Sequence, residues 1–346
     1  MEFKIGDYII GKGHKPFIIA EMSGNHNQSI DRAIAIVDAA ADAGADAIKL
    51  QTYTADTITV EGAYRIDDEG SLWKGRELHD LYKEAYTPWE WHGPIFEHAK
   101  KRGILAFSSP FDETAVDFLE SLNVPAYKIA SFENTDWTLL KKVAATGKPV
   151  IMSTGASNIA DIDESVRLLR KHGVEQLVLL KCTSTYPATP ENTNLLTIPH
   201  LATMFGCEVG LSDHTMGIGA AVAAVALGAS VIEKHFTLRR ADGGVDSAFS
   251  LEPEELKALV VETERAQLAL GRVQYGVQKS EEKSVNFKRS LYAVADINPG
   301  EEITDKNVQS KRPGFGLHTK YFDQVLGKKA KELIKKGTPI QFDLIN

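Results

Sequence analysis

The sequence predicts an α/β protein: a (β/α)8 TIM barrel followed by a small β-rich C-terminal domain. Three observations carry that prediction. Short β-like runs alternate with helix-length amphipathic segments through the first two-thirds of the chain, which implies a parallel sheet. Eight such units fit within about 270 residues, the length of one closed barrel. No Gly-x-Gly-x-x-Gly follows the first strand, which disfavours an open doubly wound sheet. With 346 residues, 43% of them hydrophobic, the chain can fill a large core and still leave material for a second domain.

Taken in order, the first barrel strand spans residues 17–22. Ser29 suits the N-cap of the next helix, in which Ile30, Ala33, Ile34 and Val37 fall at i, i+3, i+4 and i+7, and Gly44 supplies the stop. Residues 47–52 form the second strand. The connection over 54–86 is unusually long and reads as a substrate loop with a short helix near 77–85. Thr87-Pro88 opens another helix, because proline suits a first helical position, and that helix ends near Gly103. The other strands fall at 104–108, 126–131, 149–153, 177–182, 208–212 and 231–235, and a last helix runs from Pro253 to about Leu270. Residues 271–286 are polar, lack helical periodicity and read as a linker. The expected domains are therefore a barrel at 1–270 and a tail domain at 287–346. In the tail, 297–303 and 334–340 share the form I-x-x-G-x-x-I, each a turn flanked by short strands.

Several function classes are excluded at this level. No run approaches the ~18 apolar residues of a membrane span. The segment from Met1 to Asp7 lacks signal-peptide anatomy, so the cytoplasm is the default location. A net charge of −8 disfavours a dedicated nucleic-acid binder. Cys182 and Cys207 make neither a disulfide framework nor a zinc motif and read as reduced core thiols.

Chemistry is expected at the C-terminal ends of the barrel strands. Polar residues recur there with period two, which puts both members of a pair on one strand face: Glu21/Ser23, Lys49/Gln51, Ser184/Tyr186, Ser212/His214 and Glu233/His235. His214 and His235 end consecutive strands, close enough to share a divalent cation, or else to form a structural histidine pair. Lys49 and Lys128, with Ser109, Ser131, Ser153, Ser184 and Ser212 at other strand ends, suit phosphate or carboxylate; a Schiff-base lysine is the competing reading. Glu21, Glu133 and Glu233 are acids at the same rim, open to general acid–base work, metal ligation or simple charge balance. The glycines around Arg312 make a turn that would present that side chain.

These residues sit in recognisable motifs. Phe17-Ile-Ile-Ala-Glu-x-x-x-Asn-His26, Phe107-Ser-Ser-Pro-Phe111, Tyr127-Lys-Ile-Ala-Ser131, Ser153-Thr-Gly155, Lys181-Cys-Thr-Ser-Thr-Tyr-Pro187, Gly210-Leu-Ser-Asp-His214, Val231-Ile-Glu-Lys-His-Phe-Thr237 and Lys311-Arg-Pro-Gly314 resemble the sialic acid synthase family, in family order and over nearly the whole chain. The tail resembles that family's antifreeze-like (SAF) domain. Within the family, the 70–92 segment resembles the pseudaminic acid branch.

The resemblance implies condensation of phosphoenolpyruvate with an open-chain amino-sugar aldehyde to give a nine-carbon 2-keto acid and phosphate. It implies phosphoenolpyruvate contacts at Lys49, Ser109, Lys128, Ser131, Ser153, Ser184 and Ser212. His214 and His235 are implied as ligands of a divalent metal, manganese first, with magnesium or cobalt as alternatives. Glu21, Gln51, Glu133, Tyr186 and Asp246 would surround the sugar and the reacting centre, with Asn25 among the substrate-binding positions. A domain-swapped homodimer is implied, with Arg312 reaching the partner's sugar. An apolar wall for the sugar's methyl groups is expected from Leu72, Trp73, Trp89 and Trp91.

Overall fold

The computed structural model describes residues 3–346 and divides into two compact units, split between Gly271 and Arg272. The first unit begins with an antiparallel hairpin, β1 (Phe3–Ile5) and β2 (Tyr8–Ile10), turned at Gly6 with φ +56°. Eight parallel strands follow: β3 (Phe17–Glu21), β4 (Ala47–Thr52), β5 (Leu105–Pro110), β6 (Tyr127–Ile129), β7 (Val150–Ser153), β8 (Leu177–Cys182), β9 (Glu208–Asp213) and β10 (Val231–His235). They close into a barrel in sequence order, with β10 paired to β3. The fold class matches the expectation; the leading hairpin is an addition to it.

Helices α1 (Ile30–Ala43), α2 (Ala55–Ile58), α3 (Leu78–Ala85), α4 (Trp89–Lys101), α5 (Glu113–Ser121), α6 (Trp137–Ala144), α7 (Ile159–Lys171), α8 (Pro190–Thr193), α9 (Thr197–Phe205), α10 (Gly219–Ala226) and α11 (Pro253–Leu270) lie between or after the strands. Local chemistry sets their ends. The Ser29 hydroxyl accepts the Arg32 N–H at the start of α1, and Gly44 closes that helix in the left-handed region. Alternation along each strand then divides the labour. Ile18, Ala20, Ile48 and Leu50 are fully buried on the helix-facing side, while Glu21 and Lys49 point into the barrel. Register places Glu21 beside Lys49 on one side and His235 on the other, so three charged or titratable side chains meet at one rim.

In the second unit the stretch read as a linker contains a 3-10 helix at Lys279–Phe287, followed by the antiparallel pair β11 (Ser290–Ala293) and β12 (Val308–Lys311) and the short α12 (Phe322–Val325). It has its own core of Leu291, Ile297, Ile303, Val308, Val325, Ile334 and Ile340. The two copies of the repeated motif pair with each other through an antiparallel bridge between Ile297 and Ile334. Among the described residues no helix is long and apolar enough to cross a membrane.

Candidate active site

The floor of the barrel mouth is a cluster of four buried charges. Lys49 Nζ is ion-paired to Glu21 Oε2, lies 3.8 Å from Glu233 Oε2, and donates to Ser109 Oγ at 3.0 Å. Lys128 Nζ lies 3.3 Å from Glu233 Oε1, and the Ser212 hydroxyl donates to the same oxygen at 2.9 Å. Gln51 Nε2 donates to Glu21 Oε1 at 3.2 Å. Burial works to raise the Glu233 carboxyl, but Lys128 and Lys49 overcome it and hold the group down at about 2. Burial likewise works to lower Lys49, and the facing Glu21 and Glu233 outweigh it, so this ammonium keeps its proton. For Lys128 burial wins over Glu233 and its pKa falls.

Serines ring that floor. Ser131 Oγ accepts the Gly155 N–H at 3.1 Å, and Ser184 Oγ sits 3.7 Å from the Cys182 sulfur. Gly155 is required by crowding: a Cβ there would lie 2.2 Å from Ser184 Oγ and 2.7 Å from Ser131 Oγ. Ser153 Oγ, Glu133 Oε2 and His235 Nδ1 are buried without a hydrogen-bond partner. Buried polar atoms are nearly always satisfied in native proteins, so orphans gathered at one mouth mark where a polar ligand binds.

His214 follows β9 directly and His235 ends β10; their ring centroids are 5.3 Å apart. His214 Nδ1 bonds the Thr183 carbonyl at 3.0 Å, which leaves Nε2 for a ligand. The orphaned His235 Nδ1 is 4.0 Å from Asp246 Oδ2. Burial, then His214, pushes His235 far down, so its ring is neutral and has a lone pair to give. Tyr186 and Phe249 pack on the two rings, with centroids 4.5 Å from His214 and 5.0 Å from His235 respectively. Among the described residues no group of three or more His, Cys, Asp and Glu is arranged to hold a metal. The two imidazoles therefore fit a divalent cation as a partial set, with substrate or water oxygens making up the rest.

Above this floor lies a cavity of about 460 Å³. Gln51, Ser131, Glu133, Tyr186, His235 and Asp246 are its polar lining, and Tyr53, Trp73, Leu78, Leu81, Tyr82 and Phe111 its largely apolar lining. Burial raises the Glu133 carboxyl to about 7, outweighing the opposite pull of Lys128. Burial also raises Asp246, whose carboxylate takes the Ser23 hydroxyl. The connection between β4 and α4 reaches the cavity through Trp73. Its indole Nε1–H donates to the Val245 carbonyl at 3.0 Å, and its ring lies 5.7 Å from that of Tyr186.

The apolar wall expected from sequence needs correction. Of the four residues proposed, only Trp73 lines the cavity. Leu72 is half exposed; Trp89 stacks on Phe118 and Trp91 packs edge-on against His26, so both serve to dock α4. Asn25 is buried and donates to the Phe236 carbonyl and to Ser250 Oγ, which ties the turn after β3 to the loop after β10. Arg312 lies in the second unit, exposed, just past β12. Cys182 is the free, buried thiol that the sequence suggested, but its contact with the site was not foreseen: its sulfur is 3.9 Å from His214 Nδ1, and burial, which works to raise the thiol, is outweighed by His214, which brings it down to about 7. Its place two residues before Ser184, in period with the strand, was the available signal.

The comparisons with known proteins follow the same lines. The NeuB family matches residues 36–275, and the SAF domain matches residues 288–346. Pseudaminic acid synthase of Campylobacter jejuni subsp. jejuni serotype O:2 is 46% identical over 343 residues, covering 98% of each chain. Pseudaminic acid synthase of Helicobacter pylori is 42% identical over 332 residues, covering 95% of this chain and 97% of that one. The crystal structure of N-acetylneuraminic acid (sialic acid) synthetase from Leptospira borgpetersenii serovar Hardjo-bovis, in complex with citrate, superposes with a TM-score of 0.74 at 35% identity, covering 82% of this chain and 95% of that one. An eight-stranded barrel with a lysine-rich mouth, followed by a small unit with a core of its own, thus places this chain in the NeuB family, with a SAF domain at its C-terminal end.

Proposed function

We propose that the protein is a pseudaminic acid synthase. It joins phosphoenolpyruvate to 2,4-diacetamido-2,4,6-trideoxy-L-altrose in a metal-dependent condensation that yields pseudaminic acid and phosphate. The observation that carries this reading is the pairing of a floor built on Lys49 and Lys128 with a cavity lined by both polar and aromatic or aliphatic side chains. Identity of 42–46% to two pseudaminic acid synthases along nearly the whole chain supports the choice of sugar.

In this reading Lys49, Lys128 and the hydroxyls of Ser109, Ser131, Ser153, Ser184 and Ser212 hold the phosphate and carboxylate of phosphoenolpyruvate. Carbon 3 of phosphoenolpyruvate attacks the aldehyde carbon of the sugar. Water then adds at carbon 2, and phosphate leaves with cleavage of its bond to that carbon. Glu133, poised at about 7, accepts the proton of that water, and Glu21 helps orient it. Gln51, Tyr186 and Asp246 position the sugar, and Asn25 holds the loop that carries Asp246. His214 and His235 would hold a divalent cation, which when bound would supply Lewis acidity for the condensation. The assembly is a homodimer in which each SAF domain serves the partner's barrel and Arg312 reaches its sugar; the exposed position of Arg312 within its own unit is compatible with that role.

The test is phosphate release from phosphoenolpyruvate against a panel of amino sugars, with the product identified by NMR. The altrose derivative should give the highest kcat/KM. Preference for N-acetylmannosamine or a legionaminate precursor would instead make the protein an N-acetylneuraminate or legionaminate synthase of the same family. Activity that withstands chelation and is trapped by borohydride would mean Schiff-base chemistry.

A further inference from the structure

Strands β9 and β10 carry the two histidines on their barrel-facing side, and directly behind them the same strands carry a second, separate charge pair. Asp213 and Lys234 are register partners across the two strands. Each is buried, with Lys234 only 1% exposed. Lys234 Nζ lies 2.7 Å from Asp213 Oδ2 and also donates to the Thr215 carbonyl oxygen. The other carboxylate oxygen, Asp213 Oδ1, accepts both the Thr215 N–H at 2.9 Å and the Thr215 hydroxyl at 2.8 Å. His214 lies between Asp213 and Thr215, and His235 follows Lys234. One ion pair therefore fixes the backbone on both sides of the first histidine and immediately before the second.

The pair points away from the cavity and touches none of the groups proposed to meet substrate. A buried ion pair is a poor source of stability, because desolvation offsets most of the attraction and apolar residues of similar size often serve as well. What such a pair does supply is a single geometry: Lys234 reaches both partners only when β9 and β10 keep this register and the chain turns after His214 as it does here. Metal ligation needs that geometry, since donor positions must hold to a few tenths of an ångström.

We infer that Asp213 and Lys234 are positioning residues that set the spacing of His214 and His235 for a shared divalent cation. The inference rests on the reading that these histidines bind the metal, and the experiment separates the two. Free Mn²⁺ is titrated against full-length protein without substrates and read by EPR, for the wild type, His214→Ala, the paired apolar replacement Asp213→Leu/Lys234→Met, Asp213→Asn and Thr215→Val. Circular dichroism melts accompany each. The paired replacement removes both charges together and so leaves no lone buried ion. It should fold with a melting temperature near that of the wild type and yet bind Mn²⁺ at least ~10-fold more weakly, the scale seen when partners behind metal ligands are lost. Thr215→Val keeps the ion pair and should weaken binding less than the paired replacement does. Unchanged Mn²⁺ affinity in the folded paired variant overturns the inference. If that variant does not fold, unchanged Mn²⁺ affinity in a folded Asp213→Asn variant, which removes the carboxylate that Lys234 pairs with, overturns it. Unchanged affinity in His214→Ala would instead overturn the metal reading itself.

Discussion

Trp73 is one of the residues by which the long β4–α4 connection lines the cavity, and if that cavity takes the amino sugar its removal should separate the two substrates kinetically. Its indole N–H bond to Val245, made at 3.0 Å, is worth about 1 kcal/mol net. The tilted contact with Tyr186 at 5.7 Å adds about another 1 kcal/mol. Together about 2 kcal/mol of acceptor positioning is at stake, which corresponds to roughly 30-fold in rate. Trp73→Ala should therefore lower kcat/KM for the amino sugar about 30-fold, while Trp73→Phe, which keeps a ring and loses the donor, should cost about fivefold. The KM for phosphoenolpyruvate should stay within about twofold in both variants, because the lysine floor is untouched. Steady-state kinetics with each substrate varied in turn gives these numbers. Equal losses for both substrates, or an unaltered sugar kcat/KM in Trp73→Ala, would refute the assignment of this side chain to the acceptor.

Three further expectations follow from buried charge and domain arrangement. Burial raises Glu133 to about 7, so if its ionised form takes the proton from water, activity rises with pH through about 7 and is lost below it; Glu133→Gln should remove that limb, and a variant profile of the same shape argues against a base at this position. His26 and His92 are each pushed down by burial from 6.5 to about 4, so the folded state resists their protonation. Their stabilising effect is complete above the unfolded value and fades as pH falls from about 6.5 toward 4, at about 2 kcal/mol per site by pH 5, and urea unfolding of His92→Gln should show about half of that acid loss. Mixing Arg312→Ala with Lys128→Ala protein should, after subunit exchange, restore up to about a quarter of the wild-type sites if the SAF domain acts on the partner's barrel. No recovery despite exchange, followed by native mass spectrometry, would assign each SAF domain to its own chain.

The barrel was legible in the sequence because its strands are polar only at one end. Val-, Ile- and Leu-rich runs that finish in Lys49/Gln51 or Glu233/His235 declare both their direction and their inner face. The gathering of Glu21, Lys49, Lys128 and Glu233 at one mouth was legible for the same reason, since period two fixes which side chains share a side. Distance along the chain hid the rest. Nothing local in 78–85 says that Leu78, Leu81 and Tyr82 face the cavity while Trp89 and Trp91 do not; an amphipathic helix shows its apolar stripe but not what the stripe meets. The Asp213–Lys234 pair was hidden by alternation itself, because attention to the inward members of each strand passes over the outward ones. The leading hairpin was missed because three-residue strands about a glycine turn leave too short a pattern to read.

The single long connection between β4 and α4 has a bearing on how enzymes of this kind diversify. Every residue of the anion floor sits on a strand or within a few residues of a strand end, held on all sides by the barrel. Most of the cavity's apolar lining arrives instead on one continuous stretch between Tyr53 and Tyr82, anchored at its far end by the Trp73 contact to Val245. Under the proposed function, donor binding and acceptor choice therefore sit on different pieces of chain. One segment can drift or be exchanged to admit a sugar with another pattern of acetamido and methyl groups while the machinery beneath it stays fixed. Transplanting residues 53–86 into a relative that makes a different nonulosonic acid should carry the sugar preference with it.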